Sequence, residues 1–125
     1  MSSKKQIETI EKRRQQLIEG LLSTPQMLRG SFSKAYRKCG KPNCWCVRGQ
    51  GHPSNRISWT EKAISRTKAI PESDIDWAKA MTGQYKRFRK ARHRIRELDK
   101  RLHIVLDDLE EKIVRKTKKC KPYLD

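Results

Sequence analysis

The chain has 125 residues, with 31 lysines and arginines against 14 aspartates and glutamates, and a formal net charge of +17. Hydrophobic residues reach only 34% and charged residues 36%, against roughly a quarter charged in an average globular domain; this excludes one large apolar core and favours helices that bury a narrow stripe. No run of eighteen apolar residues occurs and no apolar signal core follows Met1, so no membrane span is expected, and the composition points to a cytoplasmic protein of one domain, residues 1–125.

Residues 3–22 read as the first helix. Ile7, Ile10, Leu17 and Leu21 keep the three-and-four spacing of one helix face, with Arg14 at the missing step. Ser3 with Gln6 three residues on predicts a capping box. Gly20 weakens the far end and Pro25 stops it.

Residues 27–70 have a different period. Ser31 to Lys38 is extended, with Phe32 and Tyr36 on one face, and Asn55 to Thr60 and Ser65 to Ile70 are further strand candidates. Gly40, Pro42, Asn43, Gly49, Gly51 and Pro53 punctuate the connection. The reading is a small antiparallel sheet of two or three strands, too little to stand without helices or a metal.

Residues 73–117 predict a second helix, roughly 65 to 70 Å long at 1.5 Å per residue. Pro71 precedes it, Ser73 with Asp76 is its start signal, and Glu72, Asp74 and Asp76 gather where the helix dipole favours negative charge. Gly83 is expected to bend or loosen it. The apolar seam runs through Trp77, Met81, Tyr85, Phe88, Ile95, Leu98, Leu102, Val105, Leu106, Leu109 and Ile113, near-heptad in its later half and interrupted by Arg92 and Asp99. A basic tail, 118–125, follows.

The expected fold is therefore α+β and mainly α: two antiparallel helices, one very long and coiled-coil-like, with a small antiparallel sheet and a Cys/His tip inserted between them. The first helix is too short to cover the whole seam. Leu98, Leu102, Leu106, Leu109 and Ile113 are thus expected to form an interface with a partner or with a second copy in a homodimer.

The tip concentrates the chemistry. Cys39, Cys44 and Cys46 fall within eight residues, and His52 follows six residues later. Three sulfurs and an imidazole are the set a closed tetrahedral zinc site requires, although the paired Cys-x-x-Cys knuckles of common zinc folds are missing. Two other readings stay open: buried thiols acting as small hydrophobes beside a loop histidine, and redox thiols, for which no catalytic base is positioned. In a reducing compartment clustered cysteines are more often ligands or redox groups than disulfides. Cys120 has no neighbour in sequence and reads as a free thiol.

Gly20 to Thr60 contains no acid, yet carries Arg29, Lys34, Arg37, Lys38, Lys41, Arg48 and Arg56. Nine more cations lie between Lys86 and Arg101, against only Glu97 and Asp99, more than helical i,i+4 partners could neutralise. Lys86, Arg87, Arg89, Lys90 and Arg94 join the tip cations as candidate DNA-binding residues, the helix contacting backbone phosphate and the tip supplying any sequence preference. His93, Arg94 and Tyr123 superficially match the Arg, His and Tyr of a recombinase site, but the chain has no room for that domain. No phosphate-cradling glycine loop and no acidic metal triad is visible, and the protein is expected not to be an enzyme.

Met27-Leu28-Arg29-Gly30-Ser31-Phe32, then Tyr36 through Cys46, Gly49 to His52 and the Tyr85 to Phe88 step are similar to a small family of bacterial proteins often encoded in mobile elements. In length and basic character the whole chain resembles the small third proteins, protein C, of three-gene transposons whose other two products are tyrosine recombinases. That resemblance implies a non-catalytic accessory role in transposition, with strand cleavage left to the recombinases. The expected partners are DNA and those recombinases; the rival expectation is a coiled-coil adaptor that docks on a recombinase without binding DNA.

Overall fold

A computed structural model describes residues 2–124; Met1 and Asp125, the ends of the expected domain and of its tail, lie outside them. The elements are α1 (Ser3–Leu22), β1 (Ser31–Arg37), β2 (His52–Glu61), β3 (Ile64–Ala69) and α2 (Ile75–Lys118), with short 3-10 turns at Trp45–Arg48, Glu72–Asp74 and Pro122–Leu124. The fold is mainly α with a three-stranded antiparallel sheet of order β1-β2-β3. Two compact units form: Thr24–Phe88, and Met1–Ser23 with Arg89–Asp125. Among the described residues no helix is long and apolar enough to cross a membrane.

In the helical unit, α1 spans the predicted 3–22, but its cap lies one residue earlier than expected. Ser2, not Ser3, is the N-cap, its hydroxyl accepting from the Lys5 amide at 3.2 Å, which satisfies one of the free amides of the first turn. Ile10 on α1 and Leu98 on α2 are buried. Arg14 and Asp99, the residues that interrupt the two apolar seams, meet each other, Nε to Oδ1 at 3.0 Å. Farther along, Gln6, Thr9 and Ile10 border the same cleft as Arg101, Ile104 and Val105. Falling numbers on α1 against rising numbers on α2 make the pair antiparallel.

That register limits what α1 can cover. Arg14 is eleven residues from Ser3, and eleven beyond Asp99 is Glu110, so Ile113 and Val114 have no α1 residue opposite. Ile113 is 56% exposed and Leu106 39%, whereas Leu102 and Leu109 are half-buried. Leu98 corrects the expected interface: only 8% of its surface is exposed, because it packs within its own chain and is not available to a partner.

In the sheet unit, Phe32, Ile57 and Lys68 lie side by side across the three strands, and residues in register share a face. The start of α2 covers this face: the Lys79 ammonium sits 5.3 Å from the centre of the Phe32 ring, and the Leu28 amide donates to the Met81 carbonyl at 3.1 Å. The buried line of the helix here is Ala78 and Thr82, one residue round from the predicted Trp77 and Met81. Small side chains let the sheet approach the helix closely, and Trp77 is left 51% exposed. Buried Thr82 satisfies its hydroxyl on the Ala78 carbonyl at 2.8 Å, the usual solution for a polar group inside a helix interface.

Two further boundaries differ from expectation. The residues 73–76 do not cap the long helix directly; Glu72–Asp74 form a 3-10 turn without a side-chain cap, and α2 begins at Ile75 and runs unbroken through Gly83. β2 starts at His52, three residues before the predicted strand, and includes Pro53. A proline is tolerated in this central strand because β3 pairs only from Arg56 onward, so the missing amide has no ladder partner to lose.

Candidate metal centre

The connection from Arg37 to His52 folds back on itself through local rules. The Lys41 carbonyl accepts from the Cys44 amide at 3.2 Å, closing a four-residue turn with Pro42 at its second position, where a fixed φ near −65° is preferred. Cys44 then caps the 3-10 turn Trp45–Arg48, with the Val47 amide donating to the Cys44 carbonyl at 3.2 Å. The β1–β2 pairing sets Arg37 opposite His52. Cys39, just past β1, therefore comes beside Cys46, and its amide donates to the Cys46 sulfur at 3.4 Å.

The four predicted ligands converge. Cys39 Sγ lies 3.5 Å from Cys46 Sγ, and Cys44 Sγ lies 3.1 Å from His52 Nε2; all four donor atoms fall within 4.8 Å of one another. A tetrahedral ion with bonds of about 2.0–2.3 Å holds its donors roughly 3.5–3.8 Å apart, so these residues can hold a metal with small adjustments. Cys46 is fully buried, Cys44 and His52 are half-buried, and Cys39 faces solvent. All three sulfurs are free thiols, as is Cys120, which is exposed and apart from the cluster.

Electrostatics already favour one anion here. The Lys41 amide donates to the Cys39 thiolate, and the Cys46 thiol adds a second bond, bringing the Cys39 pKa from 9.0 to about 6. Cys46 goes the other way. The Cys39 amide stabilises its thiolate, but burial and the neighbouring Cys39 and Cys44 sulfurs outweigh that bond and raise it. A negative Cys39 beside a Cys46 thiol held neutral is an environment that a cation would relieve.

Two residues orient the histidine. The Trp45 ring meets His52 edge-on, 4.9 Å between centres at 66°. Gly51, immediately before His52, has φ +101, and a Cβ there would stand 2.5 Å from the Arg37 carbonyl carbon; only glycine lets β1 pass so close. No spacing signal marks Trp45 as a support for His52, since an edge contact between rings leaves no trace in sequence. Gly51 is one of the glycines that punctuate the connection, but nothing in the sequence sets it apart from Gly49 as the one that must be left-handed.

The predicted DNA-binding cations do not form one patch. Arg37, Arg56 and the serines around them lie on the sheet face away from α2, whereas Lys34 stands on the other face, 5.7 Å from the Tyr36 ring centre. Arg56 is half-buried and donates to Ser54 Oγ at 3.0 Å, which makes it a less available contact than its neighbours. Lys38 bonds the Val47 carbonyl at 3.1 Å, bracing the knuckle, while Arg29, Lys41 and Arg48 are exposed. Lys86 and Arg87 are exposed in the sheet unit, and Arg89, Lys90 and Arg94 in the helical unit. Among the described residues none of these twelve cations is paired with a carboxylate; the ion pairs are Arg14–Asp99, Arg66–Glu61, Lys100–Glu97 and Lys112–Asp108.

Residues 7–80, more than half of the chain, match the family described as a domain of unknown function, DUF6788. The match takes in the whole Cys/His cluster. No curated protein and no solved structure matches the chain.

Proposed function

The chain belongs to the DUF6788 family, and we propose that it is a non-catalytic, zinc-stapled DNA-binding accessory factor in transposition, acting in DNA recombination and integration beside tyrosine recombinases. The observation that carries this reading is the convergence of four metal donors within 4.8 Å in a segment whose candidate cations are, among the described residues, unpaired with any carboxylate. Zinc suits three sulfurs and one imidazole, and a site with four protein ligands and no open position is structural, not catalytic. Held this way, the tip stays folded despite a sheet too small to be stable by itself.

The free cations supply the second half of the reading. A net charge of +17 draws polyanions and makes binding depend steeply on salt. The link to transposition rests on resemblance: the Met27 to Phe32 and Tyr36 to Cys46 motifs are similar to a small family often encoded in mobile elements, and the length and basic character of the chain resemble the small third proteins of three-gene transposons. The exposed α2 residues Leu106 and Ile113 favour a second contact, with a recombinase or another copy of the chain.

The test is binding of the full chain to transposon-end and random duplexes over a range of salt, with and without the recombinases. Four or more phosphate contacts give a log–log slope of about −3.6 or steeper; a flat response refutes the DNA reading. Metal analysis of the purified protein should show one zinc, removed by chelator with loss of structure, and a well-folded metal-free tip refutes the staple. If replacing Leu102, Leu106 and Leu109 with polar residues abolishes recombinase binding while neither protein binds DNA, the chain is an adaptor instead.

A further inference from the structure

The sheet unit holds a groove of about 430 Å3 that shares no residue with the Cys/His cluster. Its walls are apolar and aromatic: Ile57 and Trp59 from β2, Ile70, and Trp77 from the start of α2. Trp77 lies on the half of α2 that covers the sheet, yet half its surface is open to solvent. The rim is cationic. Arg29 and Lys68 border the groove, Lys68 being in register with Ile57, and among the described residues neither is paired with a carboxylate. The one acid at the edge, Glu61, is held by Arg66 at 3.4 Å.

We propose that this groove takes one unpaired nucleobase of a DNA strand, stacked on an indole, with the adjoining phosphates on Arg29 and Lys68. This rests on the DNA-binding reading above and adds that the protein distinguishes unpaired from paired bases. A flat ring joined to an anion matches an indole wall with an unneutralised cationic rim. An apolar side chain from a protein would fill the walls but strand the two cations without a counter-charge. Bases inside a duplex present only their edges, so the ligand has to be a single strand or an extruded base.

The experiment measures binding of the full chain to a labelled duplex, to the same duplex carrying one extra unpaired thymidine, and to single-stranded oligothymidine, each at fixed salt. Loss of one base–aromatic stack corresponds to roughly 5- to 140-fold in affinity. The wild type should prefer the unpaired thymidine over the plain duplex by a factor in that range. Trp77→Ala should remove the preference while leaving plain-duplex affinity within about twofold, and Trp77→Phe, which keeps a ring, should restore most of it. Because Trp77 is half-exposed, circular dichroism and thermal melting should show both variants folded. Equal affinity of the wild type for paired and unpaired DNA overturns the inference and leaves the duplex-binding reading standing, whereas absence of any DNA binding overturns both. Self-association lost in Trp77→Ala with DNA preference unchanged assigns the groove to a second copy of the chain and also overturns it.

Discussion

Replacing Gly51 with alanine tests how His52 is brought to the cysteines. At φ +101 an L-residue is strained, and the new Cβ would lie 2.5 Å from the Arg37 carbonyl carbon, 2.6 Å from its oxygen and 2.9 Å from the Lys38 nitrogen. All three are backbone atoms, so no rotamer change relieves the overlap. To reach ordinary contact at 3.4 Å, β1 and the segment before His52 must separate by about 0.9 Å. Gly40 is the internal control: it has φ +83, but a Cβ there meets nothing within 4 Å. Gly40→Ala should therefore cost only the left-handed penalty, about 1–2 kcal/mol. Gly51→Ala adds the forced separation, for a total of about 3 kcal/mol. It should also weaken zinc or cobalt binding by roughly 10- to 100-fold, the usual effect of mispositioning a ligand through its support. Urea unfolding gives the stabilities, and cobalt absorption gives the metal affinity. If the two alanine variants prove equal in both measurements, the close passage of β1 against Gly51 does not seat His52, and the account of the site is wrong.

Four other outcomes are expected. The β2–β3 hairpin turns on Lys62 and Ala63, both at positive φ (50° and 65°), where glycine is preferred; Ala63→Gly should stabilise the protein by about 1 kcal/mol, and a loss of stability would show the turn is not left-handed. Leu98→Ala should cost about 2–5 kcal/mol while Ile113→Ser stays within about 0.5 kcal/mol, and reversed magnitudes in denaturant titration would mean the seam is covered at the wrong end. A double-mutant cycle on Arg14 and Asp99, whose side chains are 44% and 43% exposed, should give a coupling of about 0.2–1 kcal/mol once solvent screening is allowed for, and zero coupling would separate them. In metal-free protein Cys39 has a folded value of about 6 against an ordinary 9.0, so its stabilising contribution is complete above pH 9 and lost as pH falls through 6; alkylation with peptide mapping should label Cys39 before Cys46 at pH 7 and slow below pH 6, and equal labelling would refute the shift.

Much of the secondary structure is written in local pattern. Ile7, Ile10, Leu17 and Leu21 at helical spacing, with Pro25 beyond, mark a first helix over the same 3–22 found for α1. The proline-free stretch after Pro71 marks α2 nearly to its last residue. The ligands were also legible, because three cysteines and a histidine separated by turn residues fold together under short-range rules: Pro42 in its turn and Cys44 capping the next one. The Lys62-Ala63 turn was not legible, since neither residue carries the usual glycine or asparagine signal and strand pairing imposes the left-handed backbone.

What pattern could not decide was which side of each helix would be used, and against what. Spacing marks Trp77 as core, but the sheet needs close approach and selects Ala78 and Thr82, leaving the indole beside a groove. Spacing marks Arg14 and Asp99 as separate interruptions, and only the antiparallel register of α1 on α2 turns them into a pair. Leu98 and Ile113 occupy equivalent places in one seam, yet one is buried and the other exposed because α1 ends between them. Sequence period is a property of one element alone, whereas burial depends on the length, size and register of the element that arrives opposite.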